Sequence, residues 1–116
     1  MTIKLKRIYE QPSADDGYRI LVDRLWPRGL KKENAKINLW LKDIAPSAIL
    51  RRWFSHDPTK WFVFKKKYTL ELEKNIDLLN IIQKLHQEKT NLTLLYAAKD
   101  QQHNNAVILQ KVLNQK

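Results

Sequence analysis

Cysteine is absent from this chain of 116 residues. Its absence excludes disulfide staples, thiolate zinc sites and thiol nucleophiles. Glycine occurs only twice, so neither a Walker loop nor a dinucleotide-binding glycine fingerprint can be built. There is no G-x-S-x-G elbow and no metal-ligand spacing, so no resident metal or cofactor is expected. No apolar run approaches the roughly 20 residues of a membrane helix. Residues Met1-Thr2-Ile3-Lys4 lack the apolar core of a signal peptide. Both absences point to a cytoplasmic protein without membrane association. Repeats, low-complexity tracts and linkers are missing as well, which makes residues 1–116 one domain by length.

Acids are scarce relative to bases. Lysine and arginine number 22 against 12 acids, for a formal net charge of +10 at pH 7 and a pI near 9.9. That balance favours anionic metabolites or polyanions as partners. The positive charge is scattered along the chain, with Lys65-Lys66-Lys67 as its densest run. An apolar fraction of 43% and four tryptophans argue against disorder.

Hydrophobic patterning supplies the elements. Alternation from Ile3 to Tyr9 predicts a strand suited to a sheet edge, and Gln11 to Gly17 reads as a loop. Tyr18 to Arg24 has a continuous apolar centre, as expected of a strand covered on both faces. Ile37, Leu39 and Leu41 alternate with polar neighbours, leaving a short third strand open. Ser47 is placed to cap a helix over Ala48–Phe54 that stops before Asp57-Pro58. From Pro58-Thr59 an amphipathic stripe runs through Trp61, Phe64, Tyr68 and Leu72, then Ile76, Leu79, Ile82 and Leu85. One helix of that length is long for a small domain, so a break is expected at Asn75, a plausible N-cap, with an end at Thr90-Asn91. Leu92 to Ala98 reads as a buried strand, Lys99 to Gln102 as its exit loop, and His103 to Asn114 as a terminal helix. The order predicts an α/β fold: a three-layer domain with a small, largely parallel sheet flanked by helices.

Four stretches carry candidate chemistry. The first is Val22-Asp23-Arg24-Leu25-Trp26-Pro27-Arg28-Gly29, where an apolar strand gives way to a turn. In α/β proteins ligands bind beyond strand C-termini. Arginine offers a planar fork of donors for phosphate or carboxylate. Trp26 serves either as a stacking surface or as core, and Asp23 either as an acid or as an anchor of the turn. The second is Asp100 with His103-Asn104-Asn105, at the start of the last helix, where free backbone N–H groups favour anions. Asn104 is either a ligand contact or a helix cap. The third is Trp53-Phe54-Ser55-His56-Asp57, with His56 and Asp57 as acid or base candidates. The fourth is Lys42 to Ser47, where Lys42 reaches the same rim or pairs with Asp43.

These stretches resemble the bacterial DUF488 family, in its short YeaO-like branch. The likeness rests on Val22 to Gly29, Trp40 to Ser47, Leu50 to Asp57, Leu94 to Asp100 and His103 to Ala106, in that order. It implies a small cytoplasmic α/β domain and brings no assigned catalytic residue. Longer members are similar in the last strand and helix but carry Cys-His-Arg near the place of His103-Asn104-Asn105. Thiol chemistry does not extend to a chain without cysteine.

The leading expectation is a site for a small phosphate- or carboxylate-bearing ligand at the C-terminal rim of the sheet. Arg24 and Arg28 would clamp the anion, with Trp26, Lys42 and Asn104 contributing. His56, Asp57, Asp23 and Asp100 are the acid–base candidates. The alternative is a nucleic-acid-binding module using Lys60, Lys65, Lys66, Lys67 and Lys74 along the long helical segment, although no recognised nucleic-acid motif is present. A third class, a protein-interaction partner, predicts an exposed apolar patch.

Overall fold

Strands β1 (Lys4–Arg7), β2 (Tyr18–Leu21), β3 (Leu39–Trp40) and β4 (Leu92–Tyr96) form one sheet in the order β1-β4-β2-β3. Every neighbouring pair is parallel, with Leu5 and Ile20 both opposite Leu94. The structure is a computed structural model and describes residues 3–89 and 91–115. Because the strands are parallel, all four C-termini lie on one rim.

Both faces of the central strands are covered, which is why Ile20, Leu21 and Val22 are all fully buried. Ile20, Val22, Leu92, Leu94 and Tyr96 face a large core. It is completed by α2 (Ala48–Phe54), α3 (Trp61–Lys74), α4 (Ile76–Lys89) and α5 (Asn105–Asn114). Leu21 and Leu95 face a smaller core with Ile8, Ala35, Trp26 and Trp40. The covering there is thin: the segment after β2 and the single-turn helix α1 (Lys32–Ala35).

The strands are shorter than the patterning predicts. β2 stops at Leu21 rather than Arg24, although the Val22 N–H still donates to the Leu95 carbonyl at 3.1 Å. β4 stops at Tyr96 rather than Ala98. The Gln11–Gly17 loop contains a 3₁₀ turn at Ala14–Asp16, capped by Ser13. The third strand forms with two residues.

Ser47 does cap α2, its Oγ accepting from the Leu50 N–H at 3.2 Å. The same hydroxyl donates to Glu71 of α3 at 2.7 Å, and the Ser47 N–H donates to the other Glu71 oxygen at 2.9 Å. One carboxylate therefore ties the start of α2 to the middle of α3. The break at Asn75 is present, but Asn75 works through its backbone. Its N–H donates to the Leu72 carbonyl and closes α3, while its carbonyl accepts from Leu78 and Leu79 at the start of α4. Of the expected end at Thr90-Asn91, Thr90 lies outside the described residues. α5 begins at Asn105 rather than His103, because Asn104 is its N-cap and accepts from the Val107 N–H.

Candidate functional site

One open cleft of about 1040 Å³ lies over the rim. Residues that follow three strands and residues from the end of α2 line it. The stretch after β2 supplies Asp23, Arg24, Trp26 and Arg28; the segment after β4 supplies Asp100, His103, Asn104 and Asn105. From α2 and the turn behind it come Arg51, Arg52 and His56. Two residues expected to take part, Lys42 and Asp57, are not in the lining. The Lys42 ammonium lies 5.3 Å from the Trp40 ring centre. Asp57 caps the 3₁₀ turn at Pro58–Lys60, accepting from the Thr59 N–H at 3.0 Å and the Thr59 hydroxyl at 2.7 Å.

Several lining groups serve the fold first. Asp23 accepts from the Ala97 N–H at 2.9 Å, joining the ends of β2 and β4. Burial pushes its carboxyl above the ordinary aspartate value, while the Ala97 amide, Asn105 and nearby His56 and Arg51 restrain the rise. A carboxyl withdrawn from water ionises less readily than one in solvent. Trp26 donates from its indole N–H to the Leu30 carbonyl at 2.6 Å and meets the Trp40 ring edge-on at 5.4 Å. It packs against the smaller core while presenting part of its surface to the cleft. The Arg24 guanidinium reaches the Pro46 and Ala45 carbonyls at 3.3 and 3.4 Å and Asp43 at 4.0 Å. Its donors hold the loop before α2.

The second acid is built into a turn. Asp100 accepts from the N–H groups of Gln102 and His103 at 2.9 and 3.0 Å, and its other oxygen lies 2.9 Å from His103 Nδ1. The Gln102 amide, followed by the His103 imidazole, holds this carboxyl below its ordinary value. With a proton on Nδ1, the ring donates to Asp100 and leaves Nε2 as an acceptor. The edge-on contact of the ring with Trp61, at 5.1 Å, fixes it from the other side. Asn104 is consumed by its cap and by a bond to the Asp100 carbonyl, and Asn105 by a bond to the Val22 carbonyl.

What remains is cationic. Arg28, Arg51 and Arg52 are exposed, line the cleft, and form no ion pair with another described residue. Ser55 and His56 follow the two helical arginines in consecutive left-handed conformations, with φ of 46° and 57°. L-residues adopt that region at a cost of roughly 1–2 kcal/mol each, and such strain concentrates at functional sites. Arg51 and Arg52, together with Arg7 and Tyr9, escaped the site prediction made from sequence. The strand-end rule that marked the stretches after β2 and β4 applies equally to Arg7 and Tyr9 after β1. The helical arginines carry no such local sign; only the packing of α2 brings them to the rim.

The lysines of the alternative reading sit elsewhere. Lys60 and Lys67 hold their ammonium groups 5.2 and 5.0 Å from the Trp53 ring centre, and Lys60 donates to the Trp53 carbonyl. No described helix is long and apolar enough to cross a membrane, and no cluster of potential metal ligands occurs among the described residues.

Comparison with known proteins places this geometry in a family context. Residues 2–116 match the family model DUF488-N3i, described as "Inactive DUF488-N3 subclade". The chain is 43% identical over 112 residues to the uncharacterized protein YeaO of Escherichia coli strain K12, covering 94% of each chain. It is 35% identical over 112 residues to the uncharacterized protein Rv3073c of Mycobacterium tuberculosis strain H37Rv, covering 97% of this chain and 93% of the relative. No solved structure matches the chain.

Proposed function

Since the chain belongs to the DUF488-N3i family, described as an inactive subclade, we propose that its rim cleft binds a small phosphate- or carboxylate-bearing ligand and holds it without turnover. The observation that carries this reading is the convergence of Arg28, Arg51 and Arg52 on one cleft whose two acids are already engaged by backbone amides. Three guanidinium groups that form no ion pair with another described residue create a local excess of positive charge and of planar donors. An anion satisfies both. Arg24 acts one step back, fixing the loop that leads into α2.

The test is thermal unfolding against sugar phosphates, nucleotides, carboxylates and short nucleic acids at two salt concentrations. A ligand at about 100 times its Kd stabilises the fold by about 2.7 kcal/mol, a shift of several degrees for a domain of this size. The expected result is a salt-tolerant shift with a small anion that disappears in Arg28→Ala, while the unliganded variant unfolds near the wild-type temperature. An unchanged ligand shift in Arg28→Ala overturns the reading. Shifts confined to polyanions and abolished by salt move the function to the lysine-rich surface.

A further inference from the structure

Resting on the anion-binding reading above, we infer that the cleft takes its anion as part of a nucleotide, with the base stacked on Tyr9. Tyr9 follows β1 and lines the cleft. Two contacts immobilise it. The Arg7 guanidinium lies 4.7 Å from its ring centre, and its hydroxyl donates to the Arg28 carbonyl at 2.8 Å. Arg7 is itself anchored, its Nε donating to the Ala97 and Ala98 carbonyls, both at 3.1 Å. Even so, Tyr9 keeps 40% of its surface exposed.

A lone exposed tyrosine needs no explanation. A ring in contact with an anchored guanidinium, pinned at its hydroxyl and partly exposed in the lining of a cleft is a different object. Its ordering has already taken place in the free protein, so a planar ligand stacks on it at little entropic cost. The hydroxyl also ties the ring to the backbone of Arg28, whose side chain belongs to the anion clamp. Ring site and phosphate site are therefore one connected unit.

Size and lining agree. At about 1040 Å³ the cleft is at the upper end of small-molecule sites and far larger than a phosphate or acetate ion requires. Pro27, Pro46 and Phe54 supply apolar walls beside the arginines. A nucleotide offers this combination, a flat ring with a phosphate a sugar's length away.

Isothermal titration calorimetry with AMP, UMP and ribose 5-phosphate tests the inference on the wild type, Tyr9→Leu and Tyr9→Phe. Stacking predicts that the wild type binds at least one of the nucleotides about tenfold more tightly than ribose 5-phosphate. Tyr9→Leu should abolish that preference while weakening ribose 5-phosphate no more than Tyr9→Phe does, since both variants lose the hydroxyl tie to Arg28; Tyr9→Phe keeps most of the preference. Ribose 5-phosphate binding as tightly as both nucleotides to the wild type overturns the stacking site and leaves the anion site standing. Equal loss of sugar phosphate and nucleotide in Tyr9→Leu also overturns it, because the ring would then act only through Arg28. No binding of any of the three to the wild type overturns the nucleotide inference and leaves the anion reading to be decided by the carboxylates of the thermal-unfolding panel. A short single-stranded oligonucleotide that binds with the same Tyr9 dependence supports the inference and identifies the nucleotide as a unit of a polymer.

Discussion

At the scale of single residues, the two glycines divide structural necessity from simple turn preference. Gly17 has φ of 65°, and a Cβ placed there would meet the Asn91 carbonyl oxygen at 2.3 Å and the Asn91 Cβ at 2.5 Å. Gly29 has φ of 77°, but a Cβ there meets nothing within 4 Å. Gly29→Ala should cost only the left-handed strain, about 1 kcal/mol. Gly17→Ala adds a backbone collision at the start of β2, where the Tyr18 N–H donates to the same Asn91 carbonyl at 2.9 Å. It should cost about 2–3 kcal/mol in all. Urea unfolding of the two variants checks the ordering, and equal losses would show that the Asn91 contact relaxes freely. The sequence marks both positions as turns. It cannot mark which glycine faces a chain 74 positions away, because that depends on how the strands pair.

Elements depend on caps that also shape the site. The Asn104 side chain accepts from the Val107 N–H at 3.1 Å and donates to the Asp100 carbonyl at 2.9 Å. It starts α5 and closes the turn that carries the Asp100–His103 pair. Asn104→Ala should cost about 1–2 kcal/mol by loss of the cap. Asn104→Asp keeps the acceptor for Val107 and loses the donor to Asp100. The aspartate variant should therefore recover only part of the stability, because its second oxygen faces the Asp100 carbonyl in a buried site, while the chemical shift of the His103 ring still moves. Denaturation together with NMR of the histidine side chains separates the two roles, and a ring resonance unmoved in both variants would show that the turn stands without the cap. The elements themselves were largely legible: Ser47 as a cap and the stop before Pro58 follow from local chemistry, and the break falls at Asn75, although through its backbone rather than the side-chain cap that pointed to it. The identities of their tertiary partners were not. Glu71 reads as an ordinary helix-surface acid, yet its two oxygens hold Ser47, and no local pattern announces that. The same limit hid Arg51 and Arg52, whose place at the rim is set by the packing of α2 against α3.

Across the whole molecule, two aspartates give the fold opposing responses to pH. Asp16 is buried with Arg19 and Lys6. Burial works against its ionised form, but the Ser13 amide, Lys6 and Arg19 outweigh it and hold the carboxyl low. A carboxyl whose folded pKa is depressed adds stability above its unfolded pKa, about 3.9 for aspartate, and loses it as pH falls through the folded value. Asp23 runs the other way, because burial raises its folded pKa. Its contribution is complete below the unfolded pKa and is lost as pH rises through the folded one. Between pH 7 and about pH 4, the stability of the wild type relative to Asp23→Asn should therefore rise as pH falls. Relative to Asp16→Asn it should hold steady over that range and decline only below it. Asp16→Asn should also cost about 3 kcal/mol at neutral pH, because it leaves the buried Arg19 short of its charge partner. Equilibrium unfolding of the three proteins at a series of pH values reads both signs. If the Asp23→Asn difference stays flat with pH, the carboxyl at the floor of the cleft titrates as an ordinary surface acid. The cationic rim would then hold its ligand above a fully charged carboxylate throughout that range, and ligand affinity should stay constant with pH, whereas a raised Asp23 pKa makes affinity for an anion fall as pH rises through it.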